Sequence, residues 1–140
     1  MSFTDEEVAY IRSQRLARVA TVAADGQPDV VPVGYEFDGT HFYIGGMDPA
    51  NTRRARNIGA GNDKVALVID DLASVSPWSP RYLRVYGTAE LVERRNQFGL
   101  QQVMKVTPGI SWSVNLSGRP LSDQRGQVAP HRTVHQGGSA

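Results

Sequence analysis

Residues 16–37 read LARVATVAADGQPDVVPVGYEF, and this stretch decides the fold. Two runs rich in β-branched residues flank the turn signal Ala-Asp-Gly at 24–26, so the pattern predicts strands over 16–24 and 28–37 that pair as a hairpin. Pro32 lies inside the second strand. Because proline has no N–H to donate to a sheet, its position indicates an edge strand or a bulge.

Further strands are predicted after the hairpin. The Asp38-Gly39 turn leads into a strand over 40–46, and KVALVIDD at 64–71 has the continuous apolar pattern of a strand buried on both faces. A long strand follows over 81–92, with Gly87 at a bulge. Residues 103–114 predict a final strand pair or one kinked strand.

Few helices are predicted. Thr4 and Glu7 have capping-box spacing and predict a first helix that runs to about Gln14. Asp48 and Pro49 predict the N-cap and first residue of a second helix, which continues through TRRARNI at 52–58. Residues 93–102 predict a weakly periodic helical segment.

These elements predict a mainly β (α+β) fold, a six-stranded antiparallel barrel over residues 1–114. Residues 115–140 form a polar tail with few large apolar side chains, which we expect to be ordered only where another surface receives it. The prolines of the loop 72–80 hold Trp78 in place. At 140 residues, the chain has the length of one domain.

Composition excludes several functions. The chain has no cysteine, which removes thiol nucleophiles and iron–sulfur ligation, and its net charge of +1 argues against nucleic acid and anionic membranes as partners. No apolar run reaches the roughly 18 residues of a membrane span, so we expect a cytoplasmic protein. His131 and His135 have i,i+4 spacing without a predicted helix, so we expect no metal site.

Arg53, Arg54 and Arg56 lie near the start of the second predicted helix. A helix N-terminus is already positive, and no acidic residue lies three or four positions from Arg53 or Arg54 to pair with them. The pattern indicates either an anion site or a solvated basic face.

The order and spacing of several stretches resemble the pyridoxamine 5′-phosphate oxidase-like split β-barrel family, and more narrowly its actinobacterial branch that uses the deazaflavin coenzyme F420. The stretches lie within about residues 3–114 and read QRLARVATVAADGQPDVVPVGYEF, TRRARNI, KVALVIDD, SPW, RVYGTAE and VTPGISW. The resemblance implies an F420-dependent oxidoreductase that moves hydride to or from a small conjugated substrate, with FMN as the alternative cofactor and a non-catalytic cofactor-binding protein as a third possibility.

The resemblance also implies the site residues. By similarity, the cofactor phosphate is held by Thr52, Arg53 and Arg54, and the ring contacts are Val31, Pro32, Val33, Gly46 and Met47. Trp78 is placed near the cofactor edge, and Arg56, with Lys64, is a candidate for the acidic cofactor tail. No catalytic residue is assigned, because the cofactor carries the chemistry. Exposed strand edges and a half-open cleft predict a homodimer.

Overall fold

The structure is a computed structural model that describes residues 2–97, 99–124 and 128–135. It contains two α-helices, α1 (Asp5–Ser13) and α2 (Arg53–Gly59), and two 3-10 turns, Pro49–Asn51 and Leu121–Asp123. The strands are β1 (Leu16–Val22), β2 (Pro28–Gly34), β3 (Glu36–Phe37), β4 (Phe42–Ile44), β5 (Lys64–Ser74), β6 (Ser79–Asn96), β7 (Gly99–Val114) and β8 (His131–Val134).

All strand pairs are antiparallel, in the order β2-β1-β5-β6-β7-β4-β3. β8 pairs with residues 110–113 of β7, on the same edge that pairs with β4 at residues 104–106. The hydrogen-bonded path is open. Its two end strands, β2 and β3, are consecutive in the chain and separated only by Tyr35. The prediction of a mainly antiparallel split barrel is therefore confirmed. The count of six strands is wrong, because the predicted strand 28–37 divides at Tyr35 and β8 adds another.

The β1–β2 hairpin has the predicted form. β1 alternates between buried and more exposed side chains, with Ala17, Val19 and Thr21 facing the core. β2 pairs only with β1 among the described strands, so Pro32 lies on an edge strand, as its missing N–H indicated. The predicted bulge at Gly87 is confirmed by a register shift between Tyr86 and Gly87.

The core lies inside the curved sheet, under α1. Its largest fully buried side chains include Phe42, Ile44, Leu67, Ile69 and Leu83, to which α1 contributes Ile11. Each such side chain contributes about 1.5–3 kcal/mol through its removal from water. The capping box predicted at α1 is present, with Thr4 and Glu7 each accepting the other's backbone N–H.

Two helix predictions are wrong. Asp48 and Pro49 begin a short 3-10 turn, and α2 starts later with Thr52 as its N-cap, because the Thr52 side chain rather than Asp48 accepts a helical N–H. Residues 93–102 are not helical in their described part, since β6 and β7 pair to their common tip, with Asn96 opposite Gly99. Residue 98 lies outside the described residues.

Part of the predicted tail belongs to the sheet. β8 pairs with β7, Thr133 is buried, and Leu116 joins the core. The tail was expected to be ordered only where another surface receives it, and at these positions the edge of β7 receives it. Residues 125–127 and 136–140 of the tail lie outside the described residues. In the described ranges, no helix is long and apolar enough to cross a membrane.

Candidate functional site

Two hydrogen-bonding side chains, Thr52 at the N-cap and Asn57 within the helix, hold α2 in place. Thr52 Oγ1 accepts a hydrogen bond from the backbone N–H of Ala55 at 3.2 Å and donates one to the carbonyl of Pro49 at 2.8 Å. Asn57 is buried and donates through Nδ2 to Thr21 Oγ1 on β1 at 2.8 Å. The Thr52 hydroxyl is therefore already used by the helix cap, and Asn57 holds the helix on the sheet.

The three arginines have different environments. Arg53 and Arg56 are exposed and make no ion pair or side-chain hydrogen bond with any residue that the structure describes. Arg54 is half-buried and donates through Nη2 to the carbonyl of Gly45 at 3.0 Å. Burial lowers the pKa of Arg54, and the charge of Asp29 on β2 partly offsets that shift. Of the three guanidinium groups, Arg53 and Arg56 are the ones open to a ligand.

Arg54 connects α2 to the end of β4. Gly45 and Gly46 follow β4, and Gly46 has φ = +134°, a conformation that residues with a side chain rarely adopt. A Cβ placed on Gly46 would lie 3.9 Å from Arg54 Nη2. The predicted phosphate residue Arg54 and the predicted ring contact Gly46 are thus neighbours.

A pocket of about 250 Å³ opens beside this glycine pair. Its floor is formed by Gly34, Gly45, Gly46 and Val103, which present backbone and small apolar groups. Its other wall is polar and aromatic, and it comes from β3, β4 and the tip of the β6–β7 hairpin: Tyr35, Glu36, Tyr43, Arg94, Asn96 and Gln97.

The polar wall is ordered by its own contacts. The Arg94 guanidinium lies 3.7 Å from the centroid of the Tyr43 ring, and it donates through Nε and Nη2 to Glu36 Oε2, both at 3.2 Å. The Tyr43 hydroxyl donates to Asp38 Oδ2 at 3.0 Å. Tyr35 donates to the Ile11 carbonyl at 2.6 Å, and burial raises the pKa of Tyr35 to about 12.

The predicted ring contacts on β2 lie on both faces of that strand. Val33 is buried in the core and Val31 packs against it, whereas Pro32 is exposed on the opposite face. The side chains of all three residues cannot touch one ring together. Their common accessible surface is the backbone along the free edge of β2.

Met47, Trp78, Arg56 and Lys64 do not line the pocket. Met47 is 88% exposed and Trp78 is 54% exposed in the turn between β5 and β6. The Trp78 carbonyl accepts a hydrogen bond from the backbone of Leu121 at 3.0 Å, which ties that turn to the tail segment. Both residues are large hydrophobic side chains exposed on the surface of the single chain.

The charged cluster around Asp71 is satisfied by its own contacts. Asp71 accepts two hydrogen bonds from Arg81 and one from Tyr10, and Arg81 lowers the pKa of that carboxyl. Asp71 thus joins α1, β5 and β6. Among the described residues, no group of three or more His, Asp or Glu side chains could hold a metal ion.

Glu36, Tyr43 and Arg94 were not among the residues that the sequence predicted for the site. Arg94 and Glu36 are 58 positions apart in sequence. Because residues 93–102 were predicted to be helical, the β6–β7 hairpin that carries Arg94 was not predicted. The alternation in TAELVERRN at 88–96 was the available signal for a longer strand.

The fold and the basic helix near a pocket define the class of an antiparallel split-barrel protein. Residues 3–133 match the family described as pyridoxamine 5′-phosphate oxidase. A 5a,11a-dehydrotetracycline/5a,11a-dehydrooxytetracycline reductase of Streptomyces rimosus is 35% identical over 123 residues, which cover 81% of this chain and 85% of the reductase.

Solved structures share the fold. A protein of Lactobacillus delbrueckii assigned to the pyridoxamine 5′-phosphate oxidases aligns with a TM-score of 0.60 and 28% identity, over 79% of this chain and 93% of its own. A protein named F420 reductase aligns with a TM-score of 0.52 and 23% identity, over 69% and 88%. The chain belongs to the pyridoxamine 5′-phosphate oxidase family of split-barrel oxidoreductases, which bind flavin-type cofactors.

Proposed function

We propose that the protein is an F420-dependent oxidoreductase that transfers hydride between the deazaflavin and a conjugated organic substrate. The observation that carries this proposal is the basic start of α2, where Arg53 is exposed without an ion pair among the described residues and Arg54 donates to the carbonyl of Gly45, a residue that lines the pocket. Two guanidinium groups suit the phosphate of the cofactor. The sequence resemblance to the F420-using branch favours the deazaflavin over FMN.

The substrate class is proposed from the curated relative. That enzyme is named for the reduction of a dehydrotetracycline, so a planar, conjugated carbonyl compound is the substrate that we propose for this chain. The cofactor, when bound, supplies the hydride. The protein holds the two ring systems together and excludes water, and no side chain of this site needs to act as a nucleophile.

Titration of the purified protein with F420 and with FMN, followed by fluorescence quenching, tests the cofactor. We expect F420 to bind at least about tenfold more tightly than FMN, since its longer acidic tail gains from exposed Arg56. Tighter binding of FMN would identify the alternative, an FMN-dependent oxidase or reductase. Binding of F420 without turnover of any conjugated carbonyl compound would favour a non-catalytic cofactor-binding protein.

We further propose a cytoplasmic homodimer. One row of cross-strand partners runs over β2, β1, β5, β6, β7 and β8 and carries the exposed side chains of Val30, Tyr86 and Val134, with the buried Ile110 of β7 between the last two. Direct partners in antiparallel strands share a face, so this row is a contiguous apolar strip that a second copy would cover. Light scattering of wild type and Val30→Glu tests the proposal. A monomeric wild type at micromolar concentration would contradict it.

A further inference from the structure

We propose that the pocket between the glycine pair and the β6–β7 hairpin tip binds the planar conjugated substrate, and that Arg94 with Glu36 selects an uncharged ligand over an anionic one. This inference deepens the proposed function and rests on it for the identity of the reaction. It assigns a role to pocket residues other than those expected to hold the cofactor.

The shape of the pocket favours a flat ligand. Three of the four floor residues are glycines, and a Cβ on Gly45 would project to 3.4 Å from Val103 Cγ1 and 3.5 Å from Asn96 Nδ2. Opposite this floor, one face of the Arg94 guanidinium covers the Tyr43 ring at 3.7 Å. Arg94 lines the pocket and its side chain is 34% exposed, so its planar group is accessible for stacking on a conjugated ring.

The charge of the pocket favours a neutral ligand. Both guanidinium nitrogens that pair with Glu36 share one carboxylate oxygen, so the positive charge of Arg94 is already balanced. The carboxylate of Asp38 accepts a hydrogen bond from the Tyr43 hydroxyl. Because no cation on this wall lacks an acidic partner among the described residues, an anionic ligand gains little here.

Two naphthoquinones of almost equal size provide the probes. Menadione, 2-methyl-1,4-naphthoquinone, is uncharged, whereas lawsone carries an acidic hydroxyl in place of the methyl group and is an anion at neutral pH. Menadione reacts with thiols, but this chain has no cysteine. Equilibrium dialysis measures the Kd of each probe for the full-length protein, alone and saturated with oxidised F420, so that no turnover occurs.

We expect wild type to bind menadione more tightly than lawsone. Glu36→Gln keeps the length of the side chain and releases the charge of Arg94, so it should shift the ratio of the two Kd values toward lawsone by about tenfold. Arg94→Lys keeps the positive charge but lacks the planar guanidinium group, so it should weaken menadione binding by about threefold or more. An unchanged ratio in Glu36→Gln would overturn the role of the Arg94–Glu36 pair.

Gly45→Ala tests the position of the ligand. The backbone of Gly45 is outside the positive φ region, and a new methyl group there meets only ordinary van der Waals contacts, so the variant should fold. The methyl group should reduce the space available to a ligand above the pocket floor. Menadione should bind about fivefold more weakly, whereas Gly59→Ala, whose Cβ meets nothing within 4 Å, should bind it as wild type does.

The same variants separate this inference from the proposed function. F420 affinity should be unchanged in Gly45→Ala and Glu36→Gln. If both weaken F420 binding as much as menadione binding, the pocket holds the cofactor itself and the inference is overturned. If wild type binds menadione here but never binds F420, the proposed cofactor is wrong while the pocket assignment stands.

Discussion

Arg54 Nη2 and the Gly45 carbonyl are joined by a hydrogen bond of 3.0 Å that crosses from the basic helix to the end of β4. This contact distinguishes Arg54 from Arg53, although both residues had the same predicted role. Arg53 points to solvent with no described partner, whereas Arg54 already holds the glycine pair that borders the pocket. A cofactor phosphate therefore meets one free arginine and one that has a structural contact.

Single substitutions should separate the two roles. Arg53→Gln should weaken F420 binding by about tenfold and leave the melting temperature unchanged, because it removes only a charge-assisted contact to ligand. Arg54→Gln should weaken binding and also lower the free energy of unfolding by about 1 kcal/mol through loss of the bond to Gly45. Fluorescence titration and urea unfolding measure both effects.

The exposed Arg15, which follows α1, supplies a control with the same change of charge. Arg15→Gln should alter neither quantity. Equal loss of F420 affinity in Arg15→Gln and Arg53→Gln would mean that only net charge matters.

Thr52 should act first through the helix cap. Its hydroxyl both accepts from Ala55 N–H and donates to Pro49, so Thr52→Ala should lower the free energy of unfolding by about 1 kcal/mol. Thr52→Ser, which keeps the hydroxyl, should recover most of that loss. Urea unfolding of the protein without cofactor is the measurement, and equal stability of all three proteins would contradict the cap.

Gly87 should tolerate no side chain. A Cβ there would lie 2.5 Å from the carbonyl oxygen of Thr107, at the bulge where β6 and β7 change register. Gly87→Ala should therefore cost about 1–3 kcal/mol, since backbone has to move. Gly59→Ala is the matched control, because its Cβ meets open space.

Removal of β8 should destabilise the protein. β8 covers the edge of β7 and buries Thr133, and His135 follows it into a buried position against Phe3. A chain that ends at Pro130 should lose several kcal/mol of stability, since it also uncovers the buried side chains of Ile110 and Phe3. A melting temperature within one or two degrees of wild type would show that β8 contributes little.

Stability should fall as the pH drops below about 6.5. Burial lowers the pKa of His135 from its ordinary value of 6.5, although the charge of Glu7 opposes that shift. The unfolded chain therefore binds a proton in a pH range where the folded chain does not, and stability is lost from pH 6.5 down to the lower folded pKa.

Replacement of His135 tests whether its protonation causes this loss of stability. His135→Gln retains a group that can bond to Ser111 Oγ, which lies 2.8 Å from His135 Nε2. Between pH 7 and pH 5 its melting temperature should vary less than that of wild type. The carboxyl groups of Asp38 and Asp71 have lowered pKa values, so the stability that is lost when they are protonated is lost below pH 5.

Local patterns in the sequence predicted more of the fold than of the pocket. The β1–β2 hairpin and the Gly87 bulge follow from turn residues and alternation over a few positions, which sequence displays directly. The helix start was misplaced by four residues because proline suits a 3-10 turn as well as an α-helix. Arg94 and Glu36 meet only through strand pairing over a long separation, and no local pattern encodes that contact.

The bend at Tyr35 carries a consequence for how the chain length can vary. β2 and β3 are one run of chain whose first part pairs with β1 and whose second part pairs with β4. An insertion of one residue at the bend would turn every following side chain of β3 to the other side, or push β2 out of register with β1. Loops at Asp25 or Asp38 can lengthen without that penalty, so relatives of this chain should differ in length there and keep a single residue at position 35.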